Sequence, residues 1–122
     1  MLSDEQLIKI SKQTRKNATN LIKKLNIMDI LLEVGTPLII GSYELDLMID
    51  NDIDIVVQSN NPKESAVNAL NKFINAEIVQ KYEFGDFVRF PRNNRLQGYI
   101  VNLLIKEDFC IKQKIKKTPY FV

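Results

Sequence analysis

Four aspartates lie close together in the stretch GSYELDLMIDNDIDI, which covers positions 41–55. Two of them, Asp52 and Asp54, alternate with isoleucines, which is the pattern of a strand with one buried face. Side chains two residues apart on a strand point to the same face, so we expect these carboxylates to lie side by side. Paired carboxylates repel unless a cation lies between them or they share a proton. Because Mg²⁺ and Mn²⁺ bind carboxylates together with substrate phosphates, the pair predicts a metal site with both aspartates as ligands.

The other two aspartates, Asp46 and Asp50, fit a solvated connection better than a metal site. Asp50 and Asp52 have the spacing of a pair, but Asn51 lies between them, where a core-facing position would need an apolar side chain. The alternative for Asp52 and Asp54 is a polar face on an edge strand that binds no ligand. The metal hypothesis is favoured because a second motif precedes them at a fitting distance.

That second motif is Gly41-Ser42, which follows the apolar run Pro37-Leu-Ile-Ile40. Glycine lets a ligand approach the backbone closely, and backbone amides with a serine hydroxyl suit a phosphate group. We therefore predict a nucleotide site in which Gly41 and Ser42 contact the phosphates and the aspartate pair holds the bridging metal.

The composition excludes several other kinds of chemistry. The chain has no histidine, which removes Ser-His and Cys-His catalysis, and its one cysteine, Cys110, excludes an internal disulfide. Zinc would find one soft ligand at most. With 122 residues, 45% of them hydrophobic, and a net charge of +2, we expect a single cytoplasmic domain over residues 1–122. No segment has the pattern of a signal peptide or a membrane span, so no membrane partner is expected.

The hydrophobic pattern predicts an α+β fold, with helices packed on a mixed β-sheet. A capping box at Ser3 opens the first helix, a second helix ends at Gly35, and a third follows Pro62. Beyond the third helix the pattern has a period of two, which predicts a sheet ending in antiparallel hairpins. The predicted helices cover 4–25, 27–33 and 63–74; the predicted strands cover 37–40, 52–57, 77–84, 86–91, 97–105 and 109–115; residues 43–48 are ambiguous between a helical turn and a connection.

The Gly-Ser turn and the aspartate pair together resemble the nucleotidyltransferase superfamily, whose members have a DNA polymerase beta-like fold. The signature of that family is an apolar residue, Gly and then Gly or Ser, followed after 9–13 residues by Asp-h-[Asp/Glu]-h, where h is apolar. This chain has Ile40-Gly41-Ser42, nine residues, and then Asp52-Ile-Asp-Ile55. The longer pattern GSYxLxLMxxxDID is also similar to a group of small bacterial members.

The resemblance implies a nucleotidyltransferase-like fold and a role for four residues. Both aspartates would be catalytic as well as metal-binding, and Gly41 and Ser42 would bind the nucleotide. In the family, Mg²⁺ assists the attack of a hydroxyl on the α-phosphate of a nucleoside triphosphate, which releases pyrophosphate. The acceptor here is expected to be a small molecule or a protein, and nucleic acid has weaker support.

The chain departs from the family at a third carboxylate, which members carry on a strand beside the aspartate pair. The last predicted strand has Lys112, Gln113 and Lys114 where an acid is expected, and no acid follows Asp108. On the preceding strand Asn102 could ligate a metal through its carbonyl oxygen, but it cannot act as a base. Four acids near predicted turns could reach the site, and the sequence favours none of them: Glu83, Asp86, Glu107 and Asp108.

The missing acid leaves two explanations open. The chain is either a degenerate member of the family or one truncated at its C-terminus, without the strand and helices that bind the acceptor. The function is accordingly open between a transferase and two alternatives. One is a catalytically impaired nucleotide-binding module, and the other is an antitoxin-like protein that acts by binding a partner protein.

Basic and aromatic residues of the second half are the remaining candidates for ligand contacts. For Lys112, Lys114 and Lys116 a solvated face or a lysine-protected edge strand is favoured over a phosphate or nucleic-acid surface. The arginines at 89, 92 and 95 fit a charged hairpin better than a polyphosphate clamp. Five further residues are predicted to be core: Tyr82, Phe84, Phe87 and Phe90 in the sheet, and Cys110 as a small buried residue.

Overall fold

A computed structural model of the chain describes residues 2–40, 51–91, 97–105 and 109–117. These residues form an α+β structure, in which two helices, two strands and a third helix are followed by three strands. The elements are α1 (Asp4–Lys24), α2 (Ile27–Val34), β1 (Thr36–Ile40), β2 (Asp52–Ser59), α3 (Pro62–Phe73), β3 (Val79–Asp86), β4 (Tyr99–Ile105) and β5 (Cys110–Lys117).

The first helix begins at the capping box that the sequence predicts. Ser3 Oγ accepts from the backbone N–H of Gln6 at 3.1 Å, and Gln6 Oε1 accepts from the backbone N–H of Ser3 at 2.8 Å. The predicted end of α2 is also confirmed, because Gly35 is its C-cap and donates to the carbonyl oxygen of Leu31 at 2.9 Å. The helical turn considered for 43–48 lies outside the described residues.

One mixed sheet contains all five of these strands, in the order β1-β2-β5-β4-β3. The central pair, β2 and β5, is parallel, and the other neighbouring pairs are antiparallel. The predicted mixed sheet with a closing set of antiparallel strands is therefore confirmed. Since β5 is inserted between β2 and β4, the last described strand lies at the centre of the sheet and not at its edge.

The core lies between one face of the sheet and the helices. β2 contributes Ile53, Ile55 and Val57 to it, and α3, which packs on the sheet, contributes Ala66 and Phe73. Helix α1 packs against α2 and reaches the same core through three further apolar residues: Ala18, Leu21 and Leu25. The opposite face of the sheet carries the half-exposed side chains of each strand. No helix in the described parts of the chain combines the length and apolar character needed to cross a membrane.

The strand β1 was predicted to be buried, and this is wrong. It pairs with β2 alone in the described sheet, and 63% of Leu38 and 40% of Ile40 are exposed. An apolar run of four residues does not distinguish a central strand from an edge strand, because both have the same local composition.

The predicted strand 86–91 and its hairpin at Gly85-Asp86 are also wrong. β3 continues through Gly85 to Asp86, and a turn follows. The Asp86 carboxylate accepts from the backbone N–H groups of Val88 and Arg89, at 3.1 and 2.9 Å. It holds the turn in the way that aspartate side chains commonly do, by bonding to backbone two and three residues ahead.

Several apolar residues that were predicted to face the core are exposed instead. The apolar spacing of 63–74 predicts a buried face of Ala66, Val67, Leu70, Phe73 and Ile74. The face that α3 buries contains Ala66, Ala69 and Phe73 instead. Periodicity alone predicts a buried face that spans about half of the helix surface. Because α3 packs closely on the sheet, the small alanines of that surface are the ones that are buried. In the apolar series at helical spacing, the exposed members are Leu7, Ile8 and Ile10 in α1 and Val67 and Ile74 in and after α3. Phe84 and Phe90 around β3, which were predicted to be core, are exposed as well.

A chain of hydrogen bonds connects the end of β2 to two helices. The Ser65 hydroxyl donates to the carbonyl oxygen of Val34 at 2.6 Å. Its single proton is thereby used, so the 2.6 Å contact between the two serine hydroxyls must be donated by Ser59. Ser59 in turn accepts from the backbone N–H of Asn61 at 3.0 Å. These bonds fix α2 and α3 relative to the strand that carries the aspartates.

We expect Ser65→Ala to lower the free energy of unfolding by about 1–2 kcal/mol, because it leaves the buried Ser59 hydroxyl and the Val34 carbonyl without their partner. Urea denaturation measures the change. Thr19→Ala is the matched control, since its hydroxyl also bonds a backbone carbonyl but lies within α1. Equal losses in the two variants would contradict a special role for the connection between β2 and the helices.

Gly35 brings the end of α2 against β2. A Cβ added there would overlap the carbonyl oxygen of Gln58 and lie 2.8 Å from Cγ1 of Val57. Its φ of 177° is an extended value that any residue adopts, so the requirement for glycine comes from this close approach alone.

Gly35→Ala is expected to destabilise the fold by about 1–3 kcal/mol, because backbone must move to admit the methyl group. The control is Gly85→Ala, where the nearest atoms belong to the movable ring of Phe87. Denaturation midpoints of the two variants would test this. A smaller loss of stability in Gly35→Ala than in Gly85→Ala would contradict this prediction, because it would show that the β2 backbone moves aside at little cost.

Candidate functional site

The alternation predicted for β2 is present in the structure. Ile53 and Ile55 are 0% and 2% exposed and point to the helices, while Asp52 and Asp54 are half-buried on the opposite face. Both carboxylates therefore project from the same side of a strand next to the centre of the sheet, as the sequence predicts.

Strand pairing places other polar side chains in line with Asp54. Lys112 on β5 pairs with Asp54 on one side and with Asn102 on the other. Ile40 at the end of β1 and Glu83 on β3 complete the same row. Residues opposite one another in a sheet have their Cβ atoms about 5 Å apart, so Lys112 lies directly beside both Asp54 and Asn102.

Lys112 forms an ion pair with the other aspartate of the motif. Its Nζ donates to Oδ2 of Asp52 over 3.2 Å, and the two side chains are 48% and 40% exposed. This hydrogen bond and the attraction of the Asp52 charge raise the pKa of Lys112. The side chain therefore carries a positive charge at neutral pH, and it cannot replace the missing carboxylate as a base.

For the lysines, the favoured prediction is a solvated face or a lysine-protected edge strand. The edge strand is wrong. β5 is the central strand, so Lys112 and Lys114 project from the middle of the open sheet face. Between them Gln113 is 1% exposed, and within the described residues its side-chain amide has no hydrogen-bond partner.

A cleft of about 420 Å³ lies over this part of the sheet. Its polar side is formed by Asp54, Asn102, Lys112 and Lys114, and Phe87 and Ile100 contribute to an apolar side. Asp52 lies one row further along β2 and meets the cleft through its bond to Lys112. The volume is within the range of about 300–1,000 Å³ that is common for small-molecule sites.

The pKa of Asp54 is raised above its ordinary value of 3.8. Burial in the cleft is the main cause, because it disfavours the charged form, and the negative charge of Asp52 acts in the same direction. The positive charge of Lys112 opposes both effects. A carboxylate whose charge is disfavoured in this way gains from the arrival of a cation.

A third carboxylate is absent from the described part of the site. Three strand spacings, roughly 14 Å, separate Glu83 from Asp54, and Glu83 lies 3.6 Å from Lys81 instead. Asp86 bonds Arg89 beyond the end of β3, and its hydrogen bond from the Arg89 backbone lowers its pKa. Glu107 and Asp108, the other two candidates, lie outside the described residues.

Asn102 is the polar side chain that faces the cleft on β4, as the sequence indicates. Its Oδ1 is buried and, among the described residues, has no hydrogen-bond partner. An unpaired carbonyl oxygen in a polar cleft is a potential ligand for a cation or for an ammonium group.

The predicted phosphate-binding residues, Gly41 and Ser42, lie outside the described residues, as do Asp46 and Asp50. The strand before them ends at Ile40, which pairs with Asp54 and lines the cleft. Gly41 therefore follows directly, in the chain, a residue of the row that contains Asp54.

The residues present fit one divalent ion better than two. Asp52 and Asp54 are suitable oxygen ligands on one face, and Mg²⁺ commonly takes one or two carboxylates and completes its shell with phosphates and water. Within the described ranges, however, no three Asp, Glu or Cys side chains are close enough to hold a metal together. A second ion would find no further carboxylate among the described residues of the site, and the positive charge of Lys112 beside both aspartates would oppose it.

The prediction that Cys110 is a buried core residue is wrong: it pairs with Asp52 on the open face and is half-buried, and burial with the Asp52 charge raises the pKa of its thiol. Arg89 is occupied with Asp86 and lies over the Phe90 ring at 5.3 Å. Arg92 and Arg95 lie outside the described residues.

A larger cavity of about 830 Å³ lies elsewhere, between the N-terminal end of α3 and the ends of β4 and β5. Its described lining has one acid, Glu64, with Lys63 and Lys116. Since a single carboxylate offers no pair for a hard divalent ion, the smaller cleft is the better candidate despite its size.

Two contributors to the cleft are not predicted by the sequence pattern. The period of two assigns Phe87 to the sheet core, whereas this ring lines the cleft. The contact of Lys112 with Asp52 is also not predicted, because the two residues are 60 positions apart and meet only through the parallel pairing of β2 and β5. The lysine in place of the expected acid was the available signal.

We expect Asp54→Asn to stabilise the protein at neutral pH. Because the folded-state pKa of Asp54 is raised, its cost appears as the pH rises from 3.8 through that higher pKa, and below 3.8 wild type and variant should differ little. Solvent screens this partly exposed group, so the gain should be below about 1 kcal/mol. Thermal unfolding between pH 3.5 and 7 measures it. Asp52→Asn is the control, because it loses an ion pair and should gain nothing; a loss of stability at pH 7 in Asp54→Asn would contradict the assignment.

Comparisons with known proteins give a match in fold alone. No family model matches the sequence, and no curated protein matches it. Among solved structures, the fold is similar to that of a cytoplasmic RNA terminal U-transferase, with a TM-score of 0.59 and 16% sequence identity. The match covers 93% of this chain and 32% of the other, so this chain has about a third of that protein's length. The fold predicted from the sequence is therefore confirmed: an α+β, nucleotidyltransferase-like fold with a mixed sheet.

Proposed function

We propose that this protein binds a nucleoside triphosphate together with one Mg²⁺ or Mn²⁺ ion, with Asp52 and Asp54 as metal ligands. The observation that carries the proposal is their projection from one face of β2 beside a cleft, in a nucleotidyltransferase-like fold. Gly41 and Ser42, which directly follow β1, would contact the phosphates. The cleft would then hold the nucleotide between a polar and an apolar side.

The chain's own residues would divide the binding as follows. The metal, when bound, neutralises the phosphate oxygens and connects them to the protein. Asp54 gains most from it, because its charge is disfavoured by burial. Phe87 and Ile100 offer an apolar surface of the kind on which a nucleobase or ribose packs.

Transfer of the bound nucleotide to an acceptor is the second candidate function, and the fold favours it. A hydroxyl of a small molecule, a protein or a nucleic acid would attack the α-phosphate, and pyrophosphate would leave. The similar solved structure is of an RNA terminal U-transferase, so RNA ends and UTP are the first acceptor and donor to test. Lys112, which stands beside Asp54 where an acid was expected, favours binding without efficient transfer.

We expect Asp52→Asn and Asp54→Asn each to weaken the binding of a Mg²⁺–nucleoside triphosphate more than about ten-fold, because loss of a residue that merely orients a metal ligand already costs that much. Calorimetric titration with and without Mg²⁺ measures this. Glu83→Gln is the matched control, since it removes an acid from the same row of the sheet but on the far strand. If the aspartate variants and Glu83→Gln bind alike, the site is assigned wrongly.

Incubation with radiolabelled nucleoside triphosphates and candidate acceptors then separates the two functions. Label that appears on an RNA oligonucleotide, a small hydroxyl compound or a protein, and that Asp54→Asn abolishes, would establish transfer. Binding that depends on both aspartates, without label on any acceptor, would establish the binding module, whose next test is capture of a partner protein.

A further inference from the structure

We propose that Lys112 is a resident counter-cation of the aspartate pair, and that the incoming metal–nucleotide displaces it onto the phosphates. In consequence, metal and triphosphate would bind cooperatively, and the metal alone would bind weakly. This inference rests on the proposed nucleotide site and concerns the residue that regulates it.

The position of Lys112 relative to both aspartates is the first argument. It pairs with Asp54 across the central strands, and its ammonium bonds Asp52 at 3.2 Å. A cation that bridges the two carboxylates must therefore enter within a few ångströms of an existing positive charge. With Lys112 in place the cluster has a net charge of −1, whereas the two aspartates alone would have −2.

The second argument is that the ammonium can move. The Lys112 side chain is 48% exposed, and its four-carbon stem allows several rotamers from one backbone position. Strand pairing therefore fixes the backbone of Lys112, whereas its ammonium group can change position. A triphosphate in the cleft would offer it oxygens of higher charge density than the Asp52 carboxylate.

The third argument is a second acceptor on the far side of the lysine. Asn102 pairs with Lys112 across β4 and β5, and its buried Oδ1 has no partner among the described residues. When a metal takes Asp52, the ammonium can donate to this oxygen and to phosphate. In the loaded state Asp52, the Lys112 ammonium and Asn102 Oδ1 would thereby each have a partner, without a change in the backbone.

These three points imply a thermodynamic coupling between the two ligands. The metal alone must displace Lys112 and remain next to its charge, which is unfavourable. With the triphosphate present, the positive charge of Lys112 attracts the phosphate oxygens that arrive with the metal. By linkage, the triphosphate should raise metal affinity by the same factor as the metal raises triphosphate affinity.

The test measures Mn²⁺ binding from the loss of the free-ion electron paramagnetic resonance signal, with and without inorganic triphosphate as the probe. We expect Lys112→Gln to bind Mn²⁺ alone roughly ten-fold more tightly than the wild type, which is the size of the repulsion between a single and a double charge a few ångströms apart in water. Triphosphate should enhance Mn²⁺ binding less in this variant. Lys112→Arg keeps the charge and should retain the wild-type coupling.

Lys114→Gln is the matched control. It removes a lysine from the same strand and the same face, one row further along, where the partner on β2 is Val56 rather than an aspartate. It should bind Mn²⁺ alone as the wild type does. Circular dichroism spectra of all variants confirm that each is folded.

The outcomes distinguish this inference from the function on which it rests. If wild type binds Mn²⁺–triphosphate in a manner that needs Asp52, but Lys112→Gln and Lys114→Gln behave alike, the counter-cation role is wrong and the nucleotide site stands. If Mn²⁺–triphosphate binding is absent, or is unchanged by Asp52→Asn, the nucleotide site itself fails and the inference fails with it.

Discussion

The parallel pairing of β2 with β5 is the constraint on which the rest of the structure depends. Both strands bury alternate isoleucines against the helices, and Ile53, Ile55, Ile111 and Ile115 are between 0% and 2% exposed. A slip of one residue would turn these side chains to the open face and the charged ones to the core. Burial of four isoleucines therefore fixes the register that puts Lys112 beside Asp54.

Charge at the cleft illustrates how a candidate binding site conflicts with the stability of its fold. Burial disfavours the ionised form of Asp54, and Asp52 adds repulsion. Lys112 relieves part of this cost from the neighbouring strand. A surface ion pair of this kind contributes at most about 1 kcal/mol. Asp54 is therefore kept at a net cost, which the proposed function of the cleft would explain and packing does not.

The sequence was sufficient for the parts of the fold that depend on local pattern. The capping box at Ser3, the end of α2 at Gly35 and the alternation of β2 are all decided by residues within a few positions of one another. The same holds for the projection of both aspartates from one face. A two-part motif with apolar flanks combines two local patterns, and it indicated the correct fold.

The errors arose where distant residues decide the outcome. Whether β1 is an edge and β5 the centre depends on strand order, which no local pattern contains. The predicted strand 86–91 is absent because the Asp86 side chain bonds the backbone ahead of it and the chain turns there. The contact of Lys112 with Asp52 required both the strand order and the register.

The hydroxyl chain from Asn61 through Ser59 and Ser65 to Val34 has a direction, and this has an evolutionary consequence. Each serine has one proton to give, so the orientation of one hydroxyl determines that of the other. Substitutions at the two positions are therefore not independent: once one serine is lost, the other loses the bond that joins the two hydroxyls. We infer epistasis between them, so that in related chains the pair would be retained together or replaced together.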